Sequence, residues 1–198
     1  MKKTIRGKAA KLSRRTFIVG SAAAGGGLAL GFNLPSGFGS AMAQSEGAEV
    51  NAWVFVKPDD TCVIRIARSE MGQGTITGLV QLVAEELECD WNKLKAEQIT
   101  PGQNLARKRI WGDMSTGGSR GIRGSQDYVR RGGAAARIML LQAAAEEWTV
   151  PIAELTVADG VITHAASGRS LSYGKLAAAA AKLEPPDPKA IKLKDPKD

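Results

Sequence analysis

Residues Met1 to Ala43 carry seven cationic side chains (Lys2, Lys3, Arg6, Lys8, Lys11, Arg14 and Arg15) and not one Asp or Glu. A basic start, an apolar stretch from Thr16 to about Leu34, and the small-residue run Ala41-Met42-Ala43 are the parts of an export signal in their usual order. Within the basic part, Ser13-Arg14-Arg15-Thr16-Phe17-Ile18 matches the twin-arginine pattern, and Gly20, Gly25, Gly26, Gly27 and Gly31 keep the apolar stretch only mildly hydrophobic. Residues 1–43 are therefore expected to be a twin-arginine signal peptide that sends a folded protein to the periplasm, with membrane contact through that segment alone. The stretch is also just long enough for the other reading, an uncleaved anchor. Either way, 155 of the 198 residues are left to build a core, which suits one modest domain.

The signal also accounts for the charge. The chain's net charge is +7, and without the seven cations of the signal it holds 20 Lys plus Arg against 20 Asp plus Glu. A neutral exported domain lacks the electrostatic footprint of a nucleic-acid binder, so that class is set aside. Cys62 and Cys89 have no metal-ligand spacing, so no metal site and no iron–sulfur cluster is expected on this chain. A Cys62–Cys89 disulfide is open to them in an oxidising compartment, but a strand position and a helix end suit small buried thiols, and that reading is preferred. His164, the single histidine, has no acid or nucleophile at a telling spacing and reads as surface decoration. No catalytic residue is assigned.

Trp53-Val54-Phe55-Val56 and Cys62-Val63-Ile64-Arg65-Ile66 alternate around Lys57-Pro58-Asp59-Asp60, which predicts a β-hairpin. Ile76, Leu79, Val80, Val83 and Leu87 then predict a helix, with Gln81, Glu85 and Glu86 on its solvated side. Leu94 to Ile99 reads as a strand ending at Pro101-Gly102, and Gln103 to Gly124 as a long loop. The longest helix is expected over Gln126 to Trp148, with Gly132-Gly133 marking close packing. Asp159-Gly160 predicts a hairpin between Leu155 and Thr163, and Ser172 a cap for a last helix from Tyr173 to Leu183. The fold class expected is α+β, with β-hairpins and two main helices. Residues 44–183 would form the domain and residues 184–198 a truncated linker with no core of its own.

Two segments carry chemistry. The strand running into Ser69-Glu70-Met71-Gly72-Gln73-Gly74 and the helix after it form a strand-loop-helix unit. Its glycines admit a ligand to the backbone, its helix start offers amides to an anion, and Gln73 offers donors and an acceptor. A tight turn without a ligand is the plainer alternative. Glu70 is the one carboxylate beside this turn. The second segment, Ser115-Thr116-Gly117-Gly118-Ser119-Arg120-Gly121-Ile122-Arg123-Gly124-Ser125, sets hydroxyls, glycines and guanidinium groups before the long helix, as a phosphate-bearing ligand requires. From Arg107 to Arg131 seven basic residues (Arg107, Lys108, Arg109, Arg120, Arg123, Arg130, Arg131) face only Asp113 and Asp127. The plainer alternative here is a flexible solvated loop.

Glu70-Met71-Gly72-Gln73-Gly74, Ala84-Glu85-Glu86-Leu87, Gly117-Gly118-Ser119-Arg120, the run Arg130 to Arg137 and the hairpin before Gly168-Arg169 together resemble a known family. It is the large molybdopterin-binding subunit of the xanthine oxidase / aldehyde oxidase family, in its isoquinoline 1-oxidoreductase β-subunit type. The resemblance implies an oxidoreductase that hydroxylates aldehydes or N-heterocycles, with molybdopterin cytosine dinucleotide as cofactor. Its electrons pass to a small partner subunit bearing [2Fe–2S] clusters. By the same resemblance Met71, Gly72, Gln73 and Gly74 would contact the pterin or pyrophosphate region. Thr116, Gly117, Gly118 and Ser119 would line the same cofactor, and Arg120 would serve its phosphates. Family members are several times longer, and their catalytic glutamate lies far downstream of any residue here. The chain is thus expected to be an N-terminal fragment that needs the remainder of the large subunit. The alternative is an exported, non-catalytic binding or interaction module derived from that domain.

Overall fold

The period of two read in Val54 to Val56 and Cys62 to Ile66 buries one face of each segment, and the strands pair edge to edge with helices packed on that face. A computed structural model describes residues 47–195 and 197. The predicted export signal lies outside them. The first sheet has the order β1 (Ala48–Glu49), β2 (Val54–Val56), β3 (Cys62–Ile66), β4 (Leu94–Gln98). β1, β2 and β3 pair antiparallel, and β2–β3 is the expected hairpin. β4 runs parallel to β3, with Cys62 opposite Leu94 and Ile66 opposite Gln98.

Parallel neighbours need a crossover, and helix α1 (Thr75–Leu87) supplies it by burying Leu79, Val80, Val83 and Leu87. One reading of this helix is corrected. Glu86 is fully buried, not solvated. It stands seven residues after Leu79 and three after Val83, which puts it on the apolar line whatever its chemistry. Its carboxylate accepts hydrogen bonds from Arg130 Nε (2.8 Å) and from the amide of Lys194 (3.2 Å). The chain segment expected to be a loop holds two short helices, α2 (Pro101–Ala106) and α3 (Arg120–Arg123). Pro101 opens α2 rather than closing a strand, because Thr100 and Gln103 form a reciprocal capping box around it.

Helix α4 (Gln126–Trp148) has the expected bounds. Its two glycines let the backbone close on its neighbours. A Cβ on Gly133 would stand 2.5 Å from the carbonyl oxygen of Val83, and one on Gly132 would stand 2.7 Å from the Trp53 ring. The second sheet, β5 (Leu155–Ala158), β6 (Val161–His164) and β7 (Arg169–Ser172), is antiparallel throughout. Asp159 and Gly160 both adopt positive φ in the expected hairpin turn. His164 is buried rather than decorative, with one ring nitrogen 2.9 Å from Glu154 and the other 2.7 Å from Ser167 Oγ. Helix α5 (Tyr173–Ala180) stops short of Leu183, and the side chain of Ser172 does not cap it. Asp60 Oδ1, on the β2–β3 turn, accepts the Gly174 amide instead (2.8 Å).

Residues 184–195 form no helix or strand, but they are not free of the core. Ile191 is buried against Ala134 and Ala135 of α4, and Arg131 Nη1 donates to the carbonyl of Pro188 (2.6 Å). Cys62 and Cys89 are both buried and both free, as the plainer reading had them. No helix among the described residues is long and apolar enough to cross a membrane.

The α1–α4 contact generates the first prediction. Gly133→Ala gains helix propensity but drives a methyl into the Val83 carbonyl, so the variant should lose about 1–3 kcal/mol in urea unfolding. A gain in stability would show that the two helices do not touch there.

Candidate functional site

β3 delivers the chain into the first bend, where Gly72 (φ 89°) and Gly74 (φ 78°) take backbone angles that side chains with a Cβ rarely adopt. The bend is closed by its own residues. Glu70 Oε1 accepts the amides of Gly72 (2.8 Å) and Gly74 (3.0 Å), and Oε2 accepts the amide of Ile76 (2.9 Å). Those backbone donors, Ile76 first, hold the Glu70 carboxyl below its ordinary pKa. The start of α1 therefore already carries an anion, contrary to the expectation that its amides stand free. Gln73 is similarly engaged. Its Oε1 accepts from the Met71 amide (2.6 Å), and its Nε2 donates to Ser69 O (3.0 Å) and Thr75 Oγ1 (2.8 Å).

The second bend is held from beneath by Arg68, a residue that the sequence reading passed over. Its guanidinium is buried and donates through Nε to Ser125 Oγ (2.8 Å) and through Nη1 to Asp113 Oδ2 (2.7 Å) and Ser115 O (2.7 Å). Asp113 in turn accepts the amide and the hydroxyl of Ser115, and these bonds, with Arg68 after them, bring its carboxyl down to about 2. Ser69 ties the two bends together: its amide donates to Met114 O (2.9 Å), and its carbonyl accepts Thr116 Oγ1 (2.6 Å). Gly118 (φ 57°) and Ser119 (φ 58°) then turn through left-handed backbone into α3. Helix α3 sits directly on α1, where a Cβ on Gly121 would come within 2.9 Å of Thr75 Oγ1 and one on Gly78 within 2.8 Å of Ile122 Cδ1.

Between the bends lies an open cleft of about 620 Å³. Gln73 and Thr75 line it from one side, Thr116, Gly117 and Ser119 from the other, and Arg123 and Gln126 complete the wall. Four of the nine expected site residues thus face the cleft: Gln73, Thr116, Gly117 and Ser119. Met71 is 71% exposed, and Met71, Gly72, Gly74, Gly118 and Arg120 do not line it. Arg120 leans instead toward Gly117 O (3.3 Å) and Asp113 (4.0 Å). Thr75, Arg123 and Gln126 are additions. Arg123 had a signal in the basic run, whereas Thr75 and Gln126 had none. The Ser119 side chain caps nothing in α3, and no atom lies within 4 Å of where a Cβ on Gly117 or Gly118 would be. A hydroxyl, a guanidinium and an unshielded glycine backbone on one wall are a donor set that fits the phosphates of a dinucleotide cofactor.

The family model described as molybdopterin cofactor-binding domain matches residues 5–194. The chain belongs to that family. It is 35% identical over 172 residues to the isoquinoline 1-oxidoreductase subunit beta of Brevundimonas diminuta, covering 85% of this chain and 22% of the relative. It is 32% identical over 175 residues to a protein of Gluconacetobacter polyoxogenes named membrane-bound aldehyde dehydrogenase [pyrroloquinoline-quinone], covering 85% of this chain and 21% of that one. The chain thus spans about a fifth of the length of these relatives. Among solved structures, quinoline 2-oxidoreductase from Pseudomonas putida 86 aligns with a TM-score of 0.49 at 17% identity, over 64% of this chain and 15% of that one. The Cu,Mo-CO dehydrogenase aligns with a TM-score of 0.49 at 20% identity, over 67% and 17%. The mixed α+β fold, with two sheets and five helices among the described residues, is the form this family member takes.

The Arg68–Asp113 pair gives the second prediction. A carboxyl held below its unfolded value stabilises the fold above that value, 3.8, and the contribution disappears as pH falls through about 2. NMR titration of Asp113 should therefore show a midpoint near 2, with the Ser115 amide moving in the same step. Arg68→Met should raise that midpoint and destabilise the protein by about 1–3 kcal/mol, because Ser125 and Ser115 lose a buried donor. An unmoved midpoint would remove Arg68 from the site.

Proposed function

We propose that the cleft between the two bends holds the phosphate-bearing part of a molybdopterin cofactor, in its cytosine dinucleotide form. The chain would contribute this share to an oxidoreductase that hydroxylates aldehydes or N-heterocycles. The observation that carries the reading is that Gln73 and Ser119, about 45 residues apart in the chain, line one cleft. Bound there, the cofactor would supply a two-electron oxidation in which oxygen from water goes to an electron-poor carbon.

The protein's own residues divide the binding work unevenly. Ser119 Oγ and the Arg123 guanidinium would donate to the anionic end, and the glycine backbone at Gly117 would admit it closely. Gln73 and Thr75 shape the opposite wall. Glu70, which already caps α1, keeps a second anion away from the helix start, so the phosphate belongs on the Ser119 side. Electrons would leave through a small [2Fe–2S] subunit. The family's catalytic glutamate would come from the remainder of the large subunit, and this chain alone would not turn over substrate. Export through Arg14 and Arg15 to the periplasm would follow cofactor insertion, since the twin-arginine route carries folded proteins.

The test is molybdenum and pterin analysis of the chain co-expressed with the rest of the large subunit and the small subunit. The assembly should hold both. Gly117→Val combined with Arg123→Gln should lower cofactor retention about tenfold, equivalent to ~1.4 kcal/mol. An assembly without molybdenum, pterin or any other cofactor would leave the non-catalytic module as the surviving reading, and a quinone in their place would overturn the molybdopterin reading. Replacing both Arg14 and Arg15 with Lys should hold the protein in the cytoplasm, as followed by cell fractionation; unchanged export would defeat the twin-arginine route, and wild-type protein retained in the cytoplasm would defeat the localisation.

A further inference from the structure

Cys62 opens β3, and Cys89 follows the end of α1, so the β3–α1–β4 crossover returns the chain to the level at which it began. The two thiols belong there to one cluster of the core and act on each other, while Cys62 Sγ donates to the carbonyl of Asp60 (3.7 Å). They differ in access. Cys62 is 1% exposed and enclosed, whereas Cys89 is 9% exposed and lines an open cleft of about 640 Å³ together with Gln81, Glu88, Trp91 and Lys194. They differ in acidity as well. The bond that Cys62 makes to Cys89, reinforced by burial, pushes the Cys62 thiol up, while the same bond brings Cys89 down against its burial. The sulfur facing the cleft is thus held below the ordinary thiol range and the enclosed one above it.

We infer that Cys62 and Cys89 are a dithiol pair that closes to a disulfide when a low-molecular-weight or protein disulfide enters the cleft beside α1. The Cys89 thiolate attacks one sulfur of the incoming disulfide, forms a mixed disulfide and releases the first thiolate. Cys62 then attacks the Cys89 sulfur and expels the second. Two electrons pass from the pair to the incoming disulfide, and the two thiol protons leave with the two released groups. The new bond closes a covalent ring through β3, the Glu70–Gly74 bend and α1. It lies at the far end of this unit from the bend, so it restrains the unit without entering the proposed cofactor cleft. The inference stands without the cofactor reading, because neither sulfur lines that cleft.

The test treats the purified, reduced chain with oxidised glutathione, then alkylates free thiols after unfolding and maps the peptides by mass spectrometry. A Cys62–Cys89 cross-link within one molecule and no alkylated cysteine is the expected result, with a thermal midpoint higher on the order of 10 °C that reverts with dithiothreitol. Cys62→Ser should stop at a stable glutathione adduct on Cys89, and Cys89→Ser should leave Cys62 unmodified in the folded protein. Should either variant not fold, the order of iodoacetamide labelling in the reduced wild-type chain decides: Cys89 before Cys62 supports the pair, and the reverse overturns it. Wild-type protein that halts at the glutathione adduct, cross-links between copies, or keeps both thiols free overturns it as well.

Discussion

The buried guanidinium of Arg68 is the interaction on which the candidate site depends. A charge removed from water must find partners, and a planar fork of donors can reach several at once. Arg68 finds a hydroxyl on Ser125 at the head of α4 and a carboxylate and a carbonyl in the stretch leading to the second bend. One side chain at the end of β3 thus connects the sheet, the Gly/Ser-rich segment and the longest helix. The composition of residues 115–125 alone would leave a solvated loop, since serines and glycines bury too little apolar surface to order themselves. The guanidinium is what gives that segment one conformation. Tyr128 extends the anchor by donating its hydroxyl to Ser125 Oγ (2.7 Å).

The two bends look alike as sequence and behave differently as chemistry. In the first, Glu70 and Gln73 take up the local donors, so the glycines of Gly72-Gln73-Gly74 serve a positive-φ turn and a self-contained cap. In the second, the Ser119 side chain caps nothing in α3 and the Gly117 and Gly118 positions are open. An anion seeks unsatisfied donors, so under the proposed cofactor reading the second bend would make the polar contacts and the first would form the confining wall. A carboxylate at i−4 from a helix start is a competitor for that start, and a glycine pattern cannot reveal whether the competitor wins.

Elements with strong periodicity were legible in the sequence: the β2–β3 hairpin, α1, α4 and the Asp-Gly hairpin all stand where alternation, three-and-four spacing and turn chemistry put them. Two side chains were not legible, because their residue type points to solvent and their position points to the core. Glu86 occupies an apolar line of α1, and His164 lies on the inner face of β6, so each is buried by its place in the element and then finds a partner. The long loop was misread for a different reason. Helices of six and four residues are too short for amphipathic periodicity, and only the Thr100–Gln103 capping box marked the first of them. In the site, the convergence of Gln73 with Ser119 followed from both segments being expected to serve one ligand. The wall contributed by Thr75 and Gln126 depends on α3 lying against α1, which no local pattern encodes.

That packing of α3 on α1 belongs to a wider arrangement of close helix contacts. Gly121 faces Thr75, Gly78 faces Ile122, and Gly133 faces Val83 O, so α1 is approached by two helices at backbone distance on two flanks. Such contacts tolerate little sliding, because a small residue fits only where its neighbour's bulk is absent. A second constraint acts on the α4 flank, where the buried Glu86 carboxylate must keep Arg130 and the Lys194 amide within reach. Separating these groups would strand a charge in the core, an outcome far less favourable than leaving a methyl group unpacked. Steric fit therefore sets how near the helices lie, and the ion pair opposes their shifting along one another. Helix α1 carries Thr75 at its start and α3 carries Arg123, so this double restraint also holds the two walls of the cleft at a constant separation.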